Sequence, residues 1–174
     1  DDGKPTLWRA QEIQYVLNKN PSSWPSEELR REWLAQLAQH GEWALYTEER
    51  PKLRYRPDLG VECADVWFAS TKGTVQNHEW IKVLTHEKGI PRVCRALIKY
   101  GFETKQLKDT ELNLRVFTLV ANNQAGLVSR YLDEMQGTTW RDNVPAGQVD
   151  KAISSPNGIL NDPSADSFRD VVLG

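Results

Sequence analysis

Between Ser22 and Gly41 the chain carries a pattern that a helix satisfies and a strand does not. Leu29, Trp33 and Leu37 recur at i, i+4 and i+8, and Leu34 and Ala38 widen the stripe. Pro25, Glu27 and Glu28 crowd the expected first turn, where a missing N–H is harmless and negative charge suits the helix dipole. Gly41, after His40, supplies the stop. A segment of this kind needs other helices to bury its stripe, so it commits the chain to helix-on-helix packing.

The same punctuation predicts five more helices. Thr6 is placed to cap one over 7–19 that ends at Asn20-Pro21, and Thr74 to cap one over 75–87 with Trp80, Ile81 and Leu84 inward. Pro91 opens a helix over 91–100 that Gly101 stops, with Val93, Ala96, Leu97 and Tyr100 at i, i+3, i+4 and i+7. Glu111 to Ala121 is apolar on all sides and reads as a central core helix or a buried strand. Residues 124–136 align Leu127, Val128, Tyr131, Leu132 and Met135 before Gly137.

Residues 43–71 fit less well. Lys52-Leu53-Arg54-Tyr55-Arg56 alternates strictly, Pro57-Asp58-Leu59-Gly60 offers turn chemistry, and Val61 to Phe68 returns as a second strand. A small β-hairpin near 52–68 is the expectation, with a helix over 61–70 as its competitor. The expected fold is therefore mainly α: a helical core domain of about six helices over 1–137, with an extended C-terminal arm over 138–174. That arm is rich in Pro, Gly, Ser and Asn, with short helices near 146–153 and 164–172, and packs on its own domain or on a neighbouring subunit.

Composition narrows the class. The chain has 174 residues, of which 39% are hydrophobic and 26% charged, as in an ordinary folded domain. No apolar run approaches the ~18 residues of a membrane span. The chain opens on Asp1-Asp2-Gly3 without a methionine, and a processed or trimmed start is the expectation. Two cysteines, Cys63 and Cys94, are too few for a disulfide framework. Cys94 lies in an apolar helical pattern, which predicts a free buried thiol, with a bond between the two as the alternative. That usage suits an intracellular (cytoplasmic) setting or a virion.

Charge is distributed unevenly. Residues 1–49 carry five Lys/Arg against nine Asp/Glu, 50–108 twelve against six, and 109–174 five against nine. A basic middle between acidic flanks invites an anionic partner or head-to-tail self-association.

Candidate sites follow from this pattern. Arg50, Lys52, Arg54 and Arg56 would project phosphate-binding cations from one face of a strand, with Tyr55 turned to the other side. The competing expectation pairs them with Glu48, Glu49, Glu62 and Asp65. Lys88, Arg92, Arg95 and Lys99 form a second basic group around a helix-turn-helix outline. Of the seven tryptophans, Trp24 and Trp140 lie in polar surroundings and could anchor a partner chain or fold back as local staples.

Metal binding is not expected. His78 and His86 are eight residues apart, about 12 Å along a helix, where a single-helix site needs four. No nucleophile elbow, P-loop or dinucleotide turn is present, Glu28, Arg31 and Glu32 read as a solvated helix face, and neither cofactor nor catalytic residue is assigned. The expected function is a non-catalytic, tryptophan-rich nucleoprotein or coat subunit. It would bind RNA or another nucleic acid through sequence-independent phosphate contacts and assemble as a homo-oligomer. The alternatives are a helical protein–protein adapter with an acidic partner and, third, an enzyme of unrecognised type.

Overall fold

A computed structural model describes residues 9–140 of the chain. They are mainly helical, with eight α-helices and no strand among the described residues. No helix there is long and apolar enough to cross a membrane. The chain divides into two compact units. Among the described residues, the first is built from 9–75 together with Pro91–Leu97, and the second from Gln76–Ile90 and 98–140.

In the first unit, α1 (Ala10–Lys19) precedes α2 (Trp24–His40). The Ser23 hydroxyl accepts the Ser26 N–H at the start of α2, Pro25 sits in its first turn, and Gly41 ends it in the left-handed conformation at φ 71°. Trp33, Leu34, Leu37 and Ala38 are fully buried, as their spacing requires. The Thr6 cap, the arm beyond Trp140 and its short helices lie outside the described residues.

The hairpin expected near 52–68 does not form. After α3 (Trp43–Glu49), a single 3-10 turn covers Arg50–Lys52, and α4 (Leu59–Thr71) occupies the place of the second strand. Asp58 decides the matter: its carboxylate accepts the Val61 N–H at 2.9 Å and caps α4. Val61, Cys63, Ala64, Val66 and Ser70 are then buried at helical spacing, whereas a two-residue period would have turned Asp65 inward. Lys52–Arg56 has no strand to pair with, is bounded by Pro51 and Pro57, bends at Tyr55, and buries only Leu53.

Cys63 on α4 and Cys94 in the Pro91–Leu97 segment form a disulfide, with Cα atoms 5.1 Å apart. The free thiol expected at Cys94 is therefore corrected. Sequence spacing could not show that helical turns of these two segments meet.

The second unit contains α5 (Asn77–Leu84), α7 (Asp109–Ala121) and α8 (Ala125–Glu134). The helix α6 (Arg92–Glu103) begins in the first unit and ends in the second. It continues past Gly101 instead of stopping there. A Cβ at Gly101 would lie 2.6 Å from the Trp80 ring and 3.1 Å from Leu107, so this glycine makes room for a neighbour and does not break the helix. Lys105, at φ 61°, makes the turn instead.

The α7 segment is helical, with Leu112, Val116 and Leu119 buried, but it is not apolar all round. Phe117 is 41% exposed, and Arg115 is buried. The Arg115 guanidinium donates to the carbonyls of Leu84, His86 and Lys88, fastening the end of α5 and the loop beyond it. Ile81, expected inward, is 48% exposed, while Trp80, Val83 and Leu84 fill the interior.

Candidate functional site

The four cations of the basic stretch separate into two kinds. Arg50 grips Asp65 with two bonds, Nε to Oδ1 at 2.8 Å and Nη2 to Oδ2 at 2.9 Å, while the Tyr46 hydroxyl donates to Oδ1 at 2.6 Å. The bond to Asp65 holds the Arg50 guanidinium above its ordinary pKa. Burial, and then the Asp65 carboxylate, push the Tyr46 hydroxyl upward. Lys52 reaches Glu49 at 2.8 Å and Glu48 at 3.0 Å, and its pKa is raised chiefly by the bond to Glu49. These two residues follow the pairing expectation and are occupied within the protein.

Arg54 and Arg56 differ. Both are exposed, and neither side chain meets a carboxylate within 4 Å among the described residues. Arg54 donates from Nη1 to the Ser22 hydroxyl at 2.6 Å. The backbone carbonyl of Arg56 accepts from Arg31 Nη2 at 3.2 Å, and the residue is exposed. The nearest fixed negative charge in sequence, Asp58, is turned to the cap of α4.

Beside them stand two exposed rings. Trp24 is 61% exposed and Tyr55 51%, with centroids 5.9 Å apart and planes at 59°. Arg31, paired with Glu28, lies 5.4 Å from the Trp24 ring centroid. The bend at Tyr55 explains why this ring does not pack inward as a strand position would. Trp24, Tyr55, Arg54 and Arg56 thus form one basic aromatic surface of the first unit, joined through Arg31 and Ser22.

Trp140 has the opposite character. It is 3% exposed, donates from Nε1 to Asn113 Oδ1 at 2.8 Å and sets its ring 5.7 Å from that of Tyr131. It is a local staple of the second unit, whereas Trp24 is exposed in the first.

The second basic group is divided between the units. Arg92 is exposed and Arg95 half-buried in the first; Lys88 is exposed in the second, where Lys99 donates to the Gln136 carbonyl at 3.3 Å. Helices form on both sides of the expected turn, at α5 and α6.

One ionic cluster escaped the sequence reading. Glu27 and Arg30, three apart on α2, are buried and bonded at 3.2 Å, and Arg30 Nε lies 3.6 Å from the buried Glu49. The second oxygen of Glu27 accepts the Arg54 N–H at 3.0 Å, and Glu49 accepts from Lys52 and, at 3.5 Å, from Gln14. Both Glu27 oxygens and Glu49 Oε1 accept hydrogen bonds, while Glu49 Oε2 has the looser 3.6 Å approach of Arg30 Nε. The cluster fastens α2, α3 and the stretch that follows. Among the described residues, no group of three or more His, Cys, Asp or Glu side chains is placed to hold a metal ion. His78 and His86 are not drawn into such a group.

Comparison with protein-family models, curated proteins and solved structures finds no match to this chain.

Proposed function

We propose that the protein is a non-catalytic nucleic-acid-binding subunit that contacts phosphates through Arg54 and Arg56. The observation that carries this reading is the pair of exposed guanidinium groups without carboxylate partners, beside a basic stretch whose other two cations are occupied. Arginine presents a planar set of donors that fits phosphate oxygens, and such contacts need no particular base sequence. Arg92, exposed in the same unit, would add to the electrostatic attraction. The acidic flanks and basic middle support assembly of copies into a homo-oligomer, which light scattering on the full chain would test. A virion suits the disulfide better than the reducing cytosol does.

The test is fluorescence anisotropy with RNA and duplex DNA at two salt concentrations. Affinity should fall steeply with salt, and the Arg54→Ala/Arg56→Ala protein should bind more weakly with a slope reduced by about two. Salt-independent binding, or a double variant that matches the parent, would remove the reading. A second reading rests on the same surface: Trp, Tyr and Arg are the residues that dominate protein interfaces, so an adapter would use Trp24 as its anchor.

A further inference from the structure

We infer that the Trp24–Tyr55 pair is a stacking platform for unpaired bases, so the protein selects single-stranded over duplex nucleic acid; this rests on the phosphate-binding reading above. Aromatic rings of this size normally bury most of their surface, yet these two stand more than half exposed in a chain whose Trp33 and Trp80 are interior. Their mutual geometry favours a platform. At 5.9 Å and 59° the rings touch without sandwiching, so each braces the other and neither is fully covered.

The platform is anchored. Trp24 opens α2 directly after the Ser23 cap, and Pro25 restricts the backbone beside it. Arg31 sits against the indole and is held by Glu28 and by the Arg56 carbonyl. The carbonyl that steadies this Arg–Trp contact thus belongs to one phosphate-binding residue. Arg54 in turn bonds Ser22, two residues from Trp24. Arg54 and the rings are therefore held in one constellation, with Arg56 adjoining Tyr55 in the chain, the combination by which sequence-tolerant single-strand binders hold backbone and bases together. A duplex hides its base faces and could use only the arginines.

The experiment uses the full chain, a labelled oligouridine strand, and the same strand paired with oligoadenosine. Parent protein should bind the single strand more tightly and lose tryptophan emission on binding. Trp24→Ala and Tyr55→Ala should each lower single-strand affinity about tenfold, the size of one base–aromatic stack. Duplex affinity should stay unchanged, and Trp24→Phe should restore most of the loss. Arg54→Ala/Arg56→Ala should weaken both probes alike. If the arginine variant loses binding while the ring variants keep it, the stacking inference is overturned and the phosphate reading stands. If the parent protein binds neither strand, both are overturned.

Discussion

Reduction of the Cys63–Cys94 bond is the perturbation whose size the structure sets most directly. The two residues are 31 apart in sequence, so the bond closes a loop of that length in the unfolded chain. In the chain-entropy account the lost freedom is about 2.1 + 1.5R ln n cal/mol/K, which for this loop gives about 3.7 kcal/mol at room temperature. With a urea slope of about 2 kcal/mol/M, the midpoint should fall by roughly 2 M on reduction. Oxidised and reduced forms of the same protein should be compared, with intact mass confirming the two hydrogens gained. A Cys63→Ala/Cys94→Ala protein is a poorer comparison, because both sulfurs are buried and their removal also leaves space in the interior. Coincident urea curves from samples of verified redox state would refute the argument. The unfolded chain would then already be held compact across this loop.

Replacing Asp58 with alanine removes the cap that favours α4 over a strand, and should cost about 1 kcal/mol in urea unfolding with little change in native circular dichroism. Alkaline titration should reveal two late tyrosines. Burial raises the pKa of both Tyr46 and Tyr131, so the folded protein keeps protons that the unfolded chain releases near pH 10. Stability contributed by these groups is complete below that pH and declines as pH rises above it. Tyrosinate absorbance should therefore show two groups ionising only with unfolding. Five tyrosines titrating together before the circular dichroism changes would contradict this.

The parts of the fold that were legible in the sequence are those where stripe and punctuation agree. At α2 the apolar spacing, Pro25 and Gly41 all point to one helix, and α8 repeats the case with Leu127 to Met135 before Gly137. Lys52–Arg56 misled because two-residue alternation between prolines resembles a strand, and the missing partner strand is a property of the whole chain. Asp58 is visible in the sequence, but beside Pro57 and Gly60 it suits a turn as well as a helix cap. Glu27 and Arg30 carried no mark of burial, since the groups that bury them come from α3 and from Arg54. For the candidate site, sequence identified the cations and named their acidic competitors. It could not divide Arg50 and Lys52 from Arg54 and Arg56, nor exposed Trp24 from buried Trp140, because each division depends on which helix lies alongside.

The space beside Gly101 ties that position to Trp80. A methyl group at 101 would occupy the volume of the indole, so which residues are admissible there depends on the size of the ring at 80. Order of change then matters. Alanine at 101 becomes acceptable only after the ring at 80 has been replaced by something smaller, and the reverse order passes through a strained protein. Among descendants of this chain the two positions should move as a pair, with the larger residue changing first. A glycine that looks in one sequence like the end of a helix is then a record of its neighbour's dimensions.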